Sequence, residues 1–322
     1  MRSRRAIRQL WLWRSLGWRQ GPLKSSFHGS GIGATRYAIG LAAQQNSEEQ
    51  KTPPRVSVMV VSHNRVELLR ACLQSLEQSE GRAAMQVIVV DNGSTDGSAQ
   101  LDSEFPQVQF VRLPKNFGLT KGMNLGWRAA DAPYVFFLHD DTEVEPAAAM
   151  RLADILDARD DAAAVCPLLV DGEGRPAPQL GRLPPDGVWR PAEVTGSEPV
   201  AVEYPRGAAL MMRVRLITAI RQIDERYGQF GADADLAAQF GRASKKILLA
   251  PTVKVRHYGS EGYTAAERAD FLLARAAFLG KYKGFGAWLW ARLGAILGPL
   301  AGLRLGELSR TISGQKIDGT QQ

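Results

Sequence analysis

The sequence predicts an α/β protein: a mostly parallel sheet flanked by helices, with a basic N-terminal arm and amphipathic C-terminal helices. Three observations predict it. Short apolar runs at Val56–Val61, Met85–Val90 and Tyr134–Leu138 read as strands buried on both faces. Segments of helical periodicity separate them, and such alternation implies parallel βαβ units. Each run also ends in a polar cluster, at residues 62–65, 91–96 and 139–141. Clusters at the carboxyl ends of parallel strands share one edge, where open α/β sheets bind ligands.

The chain has 322 residues, 45% apolar and 23% charged, the composition of an ordinary globular protein. Cys72 and Cys166 stand far apart and read as buried thiols in a reducing compartment. The net charge of +7 belongs to the ends. Residues 1–55 carry ten Lys/Arg against two Glu, and residues 280–322 carry six against two acids, so the middle is at −5. In the arm, six Arg from Arg2 to Arg19 interleave with Leu10, Trp11, Leu12, Trp13, Leu16 and Trp18. Trp beside Arg suits an anionic membrane surface and gives no reason to expect nucleic acid. A mitochondrial-type presequence or an unstructured basic tail has the same composition. Residues 20–54, ending in Thr52-Pro53-Pro54, have linker composition.

The folded body starts at Arg55. After the first strand, Leu69, Cys72, Leu73 and Leu76 predict a helix over 66–78. The second strand is followed by a helix and a short strand at Val108–Val111, then a helix around Lys121–Trp127. The 134–138 strand runs into His139-Asp140-Asp141. Adjacent carboxylates repel, so a divalent cation bridging to phosphates is one reading; capping of the helix after Pro146 is the other. A strand at 162–166 precedes residues 171–199, rich in Pro and Gly and expected to form a long surface loop, either one that shapes an acceptor site or a variable insertion. A Gly-initiated strand at 207–213, a short helix, a helix over 234–240 and strands at 246–250 and 253–258 follow. From Ala265 the chain reads helical. The most hydrophobic window, Gly284–Leu303, is interrupted by Arg292, a charge costing about 2.5–3.5 kcal/mol at a bilayer centre. A helix lying in the interface, or one packed on the body, fits better than a spanning one.

The ordered set Val56–Arg65, Val87–Ser98, Asn116–Ala130, Tyr134–Val144, Gly207–Arg213, Asp224–Leu236 and Pro251–His257 resembles glycosyltransferase family 2, and within it the rhamnosyltransferase-like members. The resemblance covers residues 55–280 and implies the GT-A (Rossmann-like) fold. It divides the chain into an arm and linker (1–54), a GT-A domain (55–264) and a helical, membrane-associating segment (265–322). It implies that Ser62, His63, Asn64, Arg65, Asp91 and Asn92 hold the base and ribose. Asn116, Gly118, Lys121 and Asn124 would lie against nucleotide or sugar, with Asp140 beside them. Asp141 and His257 would bind a divalent metal, Mg²⁺ or Mn²⁺, with His139 at the first position of the metal motif. Asp233 would be the catalytic base. Two residues depart from the family pattern: His139 replaces an acid or amide, and Ala232 replaces the Glu before the base.

These residue types suit the chemistry in their own right, since transfer from a nucleotide sugar needs leaving-group charge neutralised and a hydroxyl deprotonated. Capping by Asp233 and burial of His257 as a core histidine are the alternatives. The expected function is an inverting, metal-dependent glycosyltransferase at the inner, cytoplasmic face of the cell membrane. Its partners would be a nucleotide-diphosphate sugar and a glycan or lipid-linked acceptor in polysaccharide synthesis. A catalytically impaired nucleotide-sugar or glycan-binding scaffold is the second expectation, motivated by Ala232 and His139.

Overall fold

A computed structural model describes residues 53–193, 196–259, 263–314 and 316–317. The basic arm and its linker to residue 52 lie outside the described residues. The chain from Pro54 onward forms one compact unit. Its elements are β1 (Val56–Ser62), α1 (Val66–Glu77), β2 (Met85–Asp91), β3 (Gln109–Arg112), α2 (Leu119–Arg128), β4 (Tyr134–His139), β5 (Thr142–Val144) and α3 (Ala148–Ala158). Then come β6 (Ala162–Val170), β7 (Pro178–Gly181), β8 (Arg190–Pro191), β9 (Val200–Val202), β10 (Tyr204–Pro205), β11 (Ala209–Arg213) and α4 (Val214–Ala219). The chain closes with α5 (Ala232–Arg242), β12 (Lys246–His257), α6 (Ala265–Lys283), α7 (Phe285–Ala301) and α8 (Leu305–Ser313).

The main sheet has the order β3-β2-β1-β4-β11-β6-β12-β5, with β9 also on β12. Its first four strands are parallel, as the alternating pattern predicts. Beyond β4 the sheet is mixed, because β11 enters antiparallel between β4 and β6. A parallel strand needs a crossover of a dozen or more residues, usually a helix. The segment from β6 to β11 contains no such helix. The core lies between the sheet and helices α1 and α3, with Phe136, Leu69, Leu73, Leu152 and Met211 fully buried. Cys72 and Cys166 are both buried free thiols, and burial pushes each up to about 12. They are inert at neutral pH.

Two expected features take another form. Residues 171–199 are not a bare loop: their β7 and β8 join the following β10 in a small three-stranded sheet. Its strands are two to four residues long, too short for periodicity to register among the prolines. Buried Gln179 fixes it to β6, accepting from Leu169 N at 2.7 Å and donating to Pro167 O at 2.9 Å. The two expected strands around 246–258 are one, with a register shift between Ala250 and Lys254. Pro251 has no N–H to give the ladder, so the strand bulges there and resumes.

The polar strand ends meet as the parallel topology requires. Ser62 stands opposite Asp91 in register, and Val61 opposite both Val90 and His139. Asp96 laces this edge together, accepting from Val66 N at 3.0 Å at the start of α1 and from Ser98 N at 2.9 Å. Gly93, at φ +78, allows the turn after β2 to pass against Lys115; a Cβ there would lie 2.4 Å from the Lys115 carbonyl carbon. Gly93→Ala is therefore expected to lower the unfolding free energy by roughly 1–3 kcal/mol. Urea titration should show a lower midpoint with an unchanged slope, and an unchanged midpoint would refute the constraint.

Candidate active site

The β4–β5 turn delivers the acids. Asp140 and Asp141 are both nearly buried, at 6% and 7% exposure. Helix α3 starts at Ala148 with Ala147 at its N-cap, so neither acid is a cap. Asp140 accepts from Ser62 Oγ at 2.8 Å, and Arg65 Nη1 reaches Asp140 at 3.4 Å and Asp141 at 3.1 Å. Burial pushes the Asp140 carboxyl up to about 6, against the pull of Arg65 and Ser62 and with the push of Asp141. Burial also opposes charge on Asp141. There the His257 nitrogen, His139 and Arg65 together outweigh it and hold the group below the usual carboxylate range.

His257 arrives from far along the chain because β12 pairs antiparallel with β5, placing His257 opposite Thr142. Tyr258 N donates to Asp141 O at 2.9 Å, completing that junction. His257 Nε2 lies 3.3 Å from Asp141 Oδ1, and His139 Nδ1 lies 3.8 Å from it. One ligand atom from each of His139, Asp141 and His257 falls within 4.8 Å of the others, so the cluster can hold a metal ion. Asp141 Oδ1 and His257 Nε2 are buried without a hydrogen-bond partner. Buried polar atoms are rarely left so. His257 is thus not a satisfied core histidine. Burial lowers the His139 imidazole to about 4, which keeps it neutral and able to ligate.

Asp233 lies in the first turn of α5, whose N-cap is Gly231, so it is not the cap either. Its carboxylate accepts from Tyr204 OH at 3.0 Å, Gly207 N at 3.1 Å and Ala234 N at 2.8 Å. Burial still pushes it above the ordinary carboxylate value, against these three donors and Arg206. Asp233, Asp141, His139 and His257 wall one cavity, and Ala232 presents its methyl there. Asp235, two residues on, is wholly buried and turned away. It is clamped by Lys281 Nζ at 2.9 Å, Tyr282 OH at 2.8 Å and Gln239 Nε2 at 2.7 Å.

A second, adjoining cleft is walled by Ser62, His63, Arg65, Asn92, Asn116, Gly118 and Asp140. The other four residues assigned to nucleotide or sugar lie outside both sets of walls. Asn124 is fully buried, and its amide is occupied by Ile223, Glu225 and Trp127. Lys121 stacks 4.8 Å above the Phe117 ring. Asp91 accepts from Ser94 N, and Asn64 accepts from Thr95 N at 2.7 Å, so these two shape the rim. Asn92 also turns its amide inward, to Asn116 and to Phe117 N. Trp189, Arg206, Phe230, Tyr263 and Glu267 wall the Asp233 cavity and were not singled out from sequence. Phe230 lies in the 224–236 stretch and Glu267 in the first turn of α6, but no spacing rule joins these five residues.

Comparison with known proteins bears on the family and the fold. Residues 57–213 match the family described as Glycosyl transferase family 2. N-acetylglucosaminyl-diphospho-decaprenol L-rhamnosyltransferase of Mycobacterium tuberculosis is 26% identical over 67% of this chain and 80% of that protein. An N-acetylglucosaminyltransferase of Sinorhizobium fredii is 30% identical over 31% of this chain and 26% of its own. GalNAc-T7, crystallised with UDP, GalNAc and Mn²⁺, superposes with a TM-score of 0.60 at 15% identity, covering 83% of this chain and 56% of that one. Staphylococcus aureus TarS gives 0.52 at 17%, covering 70% and 40%. The chain therefore spans about half the length of these two structures, which establish the GT-A fold. With a matched family domain at residues 57–213 and a rhamnosyltransferase relative along two thirds of its length, the chain carries a glycosyltransferase family 2 domain and is a glycosyltransferase similar to rhamnosyltransferases.

Proposed function

We propose that the chain is an inverting, metal-dependent transferase that moves a sugar from a nucleoside diphosphate sugar to a lipid-linked acceptor in cell-surface polysaccharide synthesis. The carrying observation is that the His139, Asp141 and His257 cluster and the Asp233 carboxylate face one cavity. The cleft at Ser62, Asn92 and Asn116 suits the nucleotide. Residues 55–264 would form the catalytic fold and 265–322 a membrane-facing extension.

Two imidazoles and one carboxylate suit Mn²⁺ better than Mg²⁺, which prefers all-oxygen sites. The orphaned Asp141 Oδ1 and His257 Nε2 fit such an ion. When bound there, a divalent ion neutralises charge developing on the leaving diphosphate. Arg65 keeps Asp140 and Asp141 from repelling each other. Asp233 takes the proton of the acceptor hydroxyl as its oxygen bonds the anomeric carbon and the bond to the diphosphate breaks. One displacement inverts that carbon. Burial makes Asp233 a stronger base than an exposed carboxylate, and Tyr204 and Gly207 fix its orientation. The methyl of Ala232 leaves these three donors intact, which favours turnover over a scaffolding role.

The membrane reading rests on α7. No helix among the described residues is long and apolar enough to cross a membrane. Yet Phe285, Trp290, Leu297 and Leu300 are 50–76% exposed on this one 17-residue helix. Arg292, the charge within it, has Nη1 buried. An apolar helix face with Trp beside basic residues suits a lipid interface.

Four outcomes are expected. Asp233→Asn should lower kcat by about 10²–10⁴-fold while donor affinity is kept; turnover within twofold of wild type would remove Asp233 as the base. In wild type, kcat/KM should fall toward acid with a limb above the ordinary aspartate value. Tyr204→Phe should move that limb higher, since the lost donor stabilised the charged form. His257→Ala should weaken Mn²⁺ binding at least about tenfold by electron paramagnetic resonance titration, and unchanged binding would locate the ion elsewhere. The whole chain should cosediment with phosphatidylglycerol vesicles, and Trp290→Asp with Leu297→Asp should release it; retention of the double variant would exclude α7 as the contact.

A further inference from the structure

We propose that the Asp233 cavity contains a second anion site, built on Arg206, which takes a phosphate carried by the acceptor within one sugar of the reacting hydroxyl. This rests on the glycosyl-transfer reading above. Two cations wall the cavity. Arg65 is committed to Asp140 and Asp141. Arg206 is partly buried, and its guanidinium makes no ion pair with any described residue. Its charge acts on Asp233, but its N–H donors are engaged by no described residue, and a ligand anion can take them.

The group is held ready. Its Cζ lies 6.0 Å from the Trp189 ring centre. Trp189 is itself fixed, donating from Nε1 to Tyr263 OH at 2.7 Å and packing on Tyr204 at 4.9 Å. The backbone N–H of Arg206 donates to Gln179 O at 2.7 Å, tying it to the small sheet. A guanidinium oriented this way presents a fork of donors suited to phosphate oxygens. The faces of Trp189, Tyr263 and Phe230 beside it offer a sugar ring an apolar wall.

Topology assigns the site to the acceptor. The nucleotide cleft sits at the ends of β1 and β2, whereas Arg206 leads into β11, on the far side of β4. His139 N donates to Ala208 O at 2.9 Å, so the metal cluster stands between the two. Arg206 precedes Gly207, whose N–H binds Asp233. An anion on Arg206 therefore lies beside the base rather than beside the nucleotide. The exposed apolar face of α7 argues that the acceptor is lipid-borne, and a phosphate is the group that would join its first sugar to lipid.

Calorimetry on the whole chain in EDTA would compare decyl diphospho-N-acetylglucosamine with uncharged decyl N-acetylglucosaminide. The diphosphate should bind at least tenfold tighter. Arg206→Met, which keeps the stem on Trp189, should abolish the difference; Arg206→Gln should do the same, and Arg206→Lys should keep part of it. A preference that survives in Arg206→Met and Arg206→Gln overturns the proposal. So does one that appears only on adding Mn²⁺, since the diphosphate is then on the metal cluster. A loss of UDP binding in Mn²⁺ equal to the loss of probe binding also overturns it, because the arginine then serves the donor. If wild type turns over no nucleotide sugar while the probe preference holds, the transfer reading falls and the anion site stands.

Discussion

The site depends on how one tight reversal is held. Between β4 and β5 the chain turns through Asp140 and Asp141, and both carboxylates are nearly buried. Two such charges a residue apart cannot share a dry site unless each is compensated separately. Ser62 and Arg65, from the end of β1, compensate Asp140 and the near side of Asp141. On the far side, His257 Nε2 lies 3.3 Å and His139 Nδ1 3.8 Å from Asp141 Oδ1. Those partners come from strands that only the finished sheet brings together. The burial that pushes Asp140 up and the imidazoles that hold Asp141 down are thus two results of one topology. The adjacent acids are shifted in opposite directions, Asp140 upward and Asp141 downward.

From that turn the cavities divide. Toward β1 and β2, polar loop residues are tied to one another, so the cleft is formed before anything enters it. Toward β11 and α5, Asp233 sits under three donors and among aromatic rings. The clamp of Lys281 and Tyr282 on Asp235 holds α5 against α6, so the helix that carries Asp233 is braced by the C-terminal helices.

Much of this is legible in the sequence where a signal is local. Apolar runs of five or six residues mark β1, β2 and β4, and their polar ends share an edge because parallel topology allows nothing else. Asp141, His257 and Asp233 follow from motif order. What is not legible depends on contacts between distant segments. Asn124 sits in a motif, yet its amide faces a loop a hundred residues away. The mixed half of the sheet escapes because β11, β6 and β12 are equally apolar whichever way they run. Trp189 and Arg206 escape because β8 and β10 are two residues long, below any period. Gln179, one polar residue in a Pro-rich stretch, carries the information that this stretch is ordered, but only through what it binds.

The cleft proposed for the nucleotide is walled by Ser62 near one end of the body and by Ile317 near the other. The N–H of Ile317 donates to Asp270 Oδ1, which holds that last segment in place. A ligand seated in that cleft would touch both the β1 loop and the segment at Ile317, so its binding would favour the docked position of that segment as well as the sheet edge.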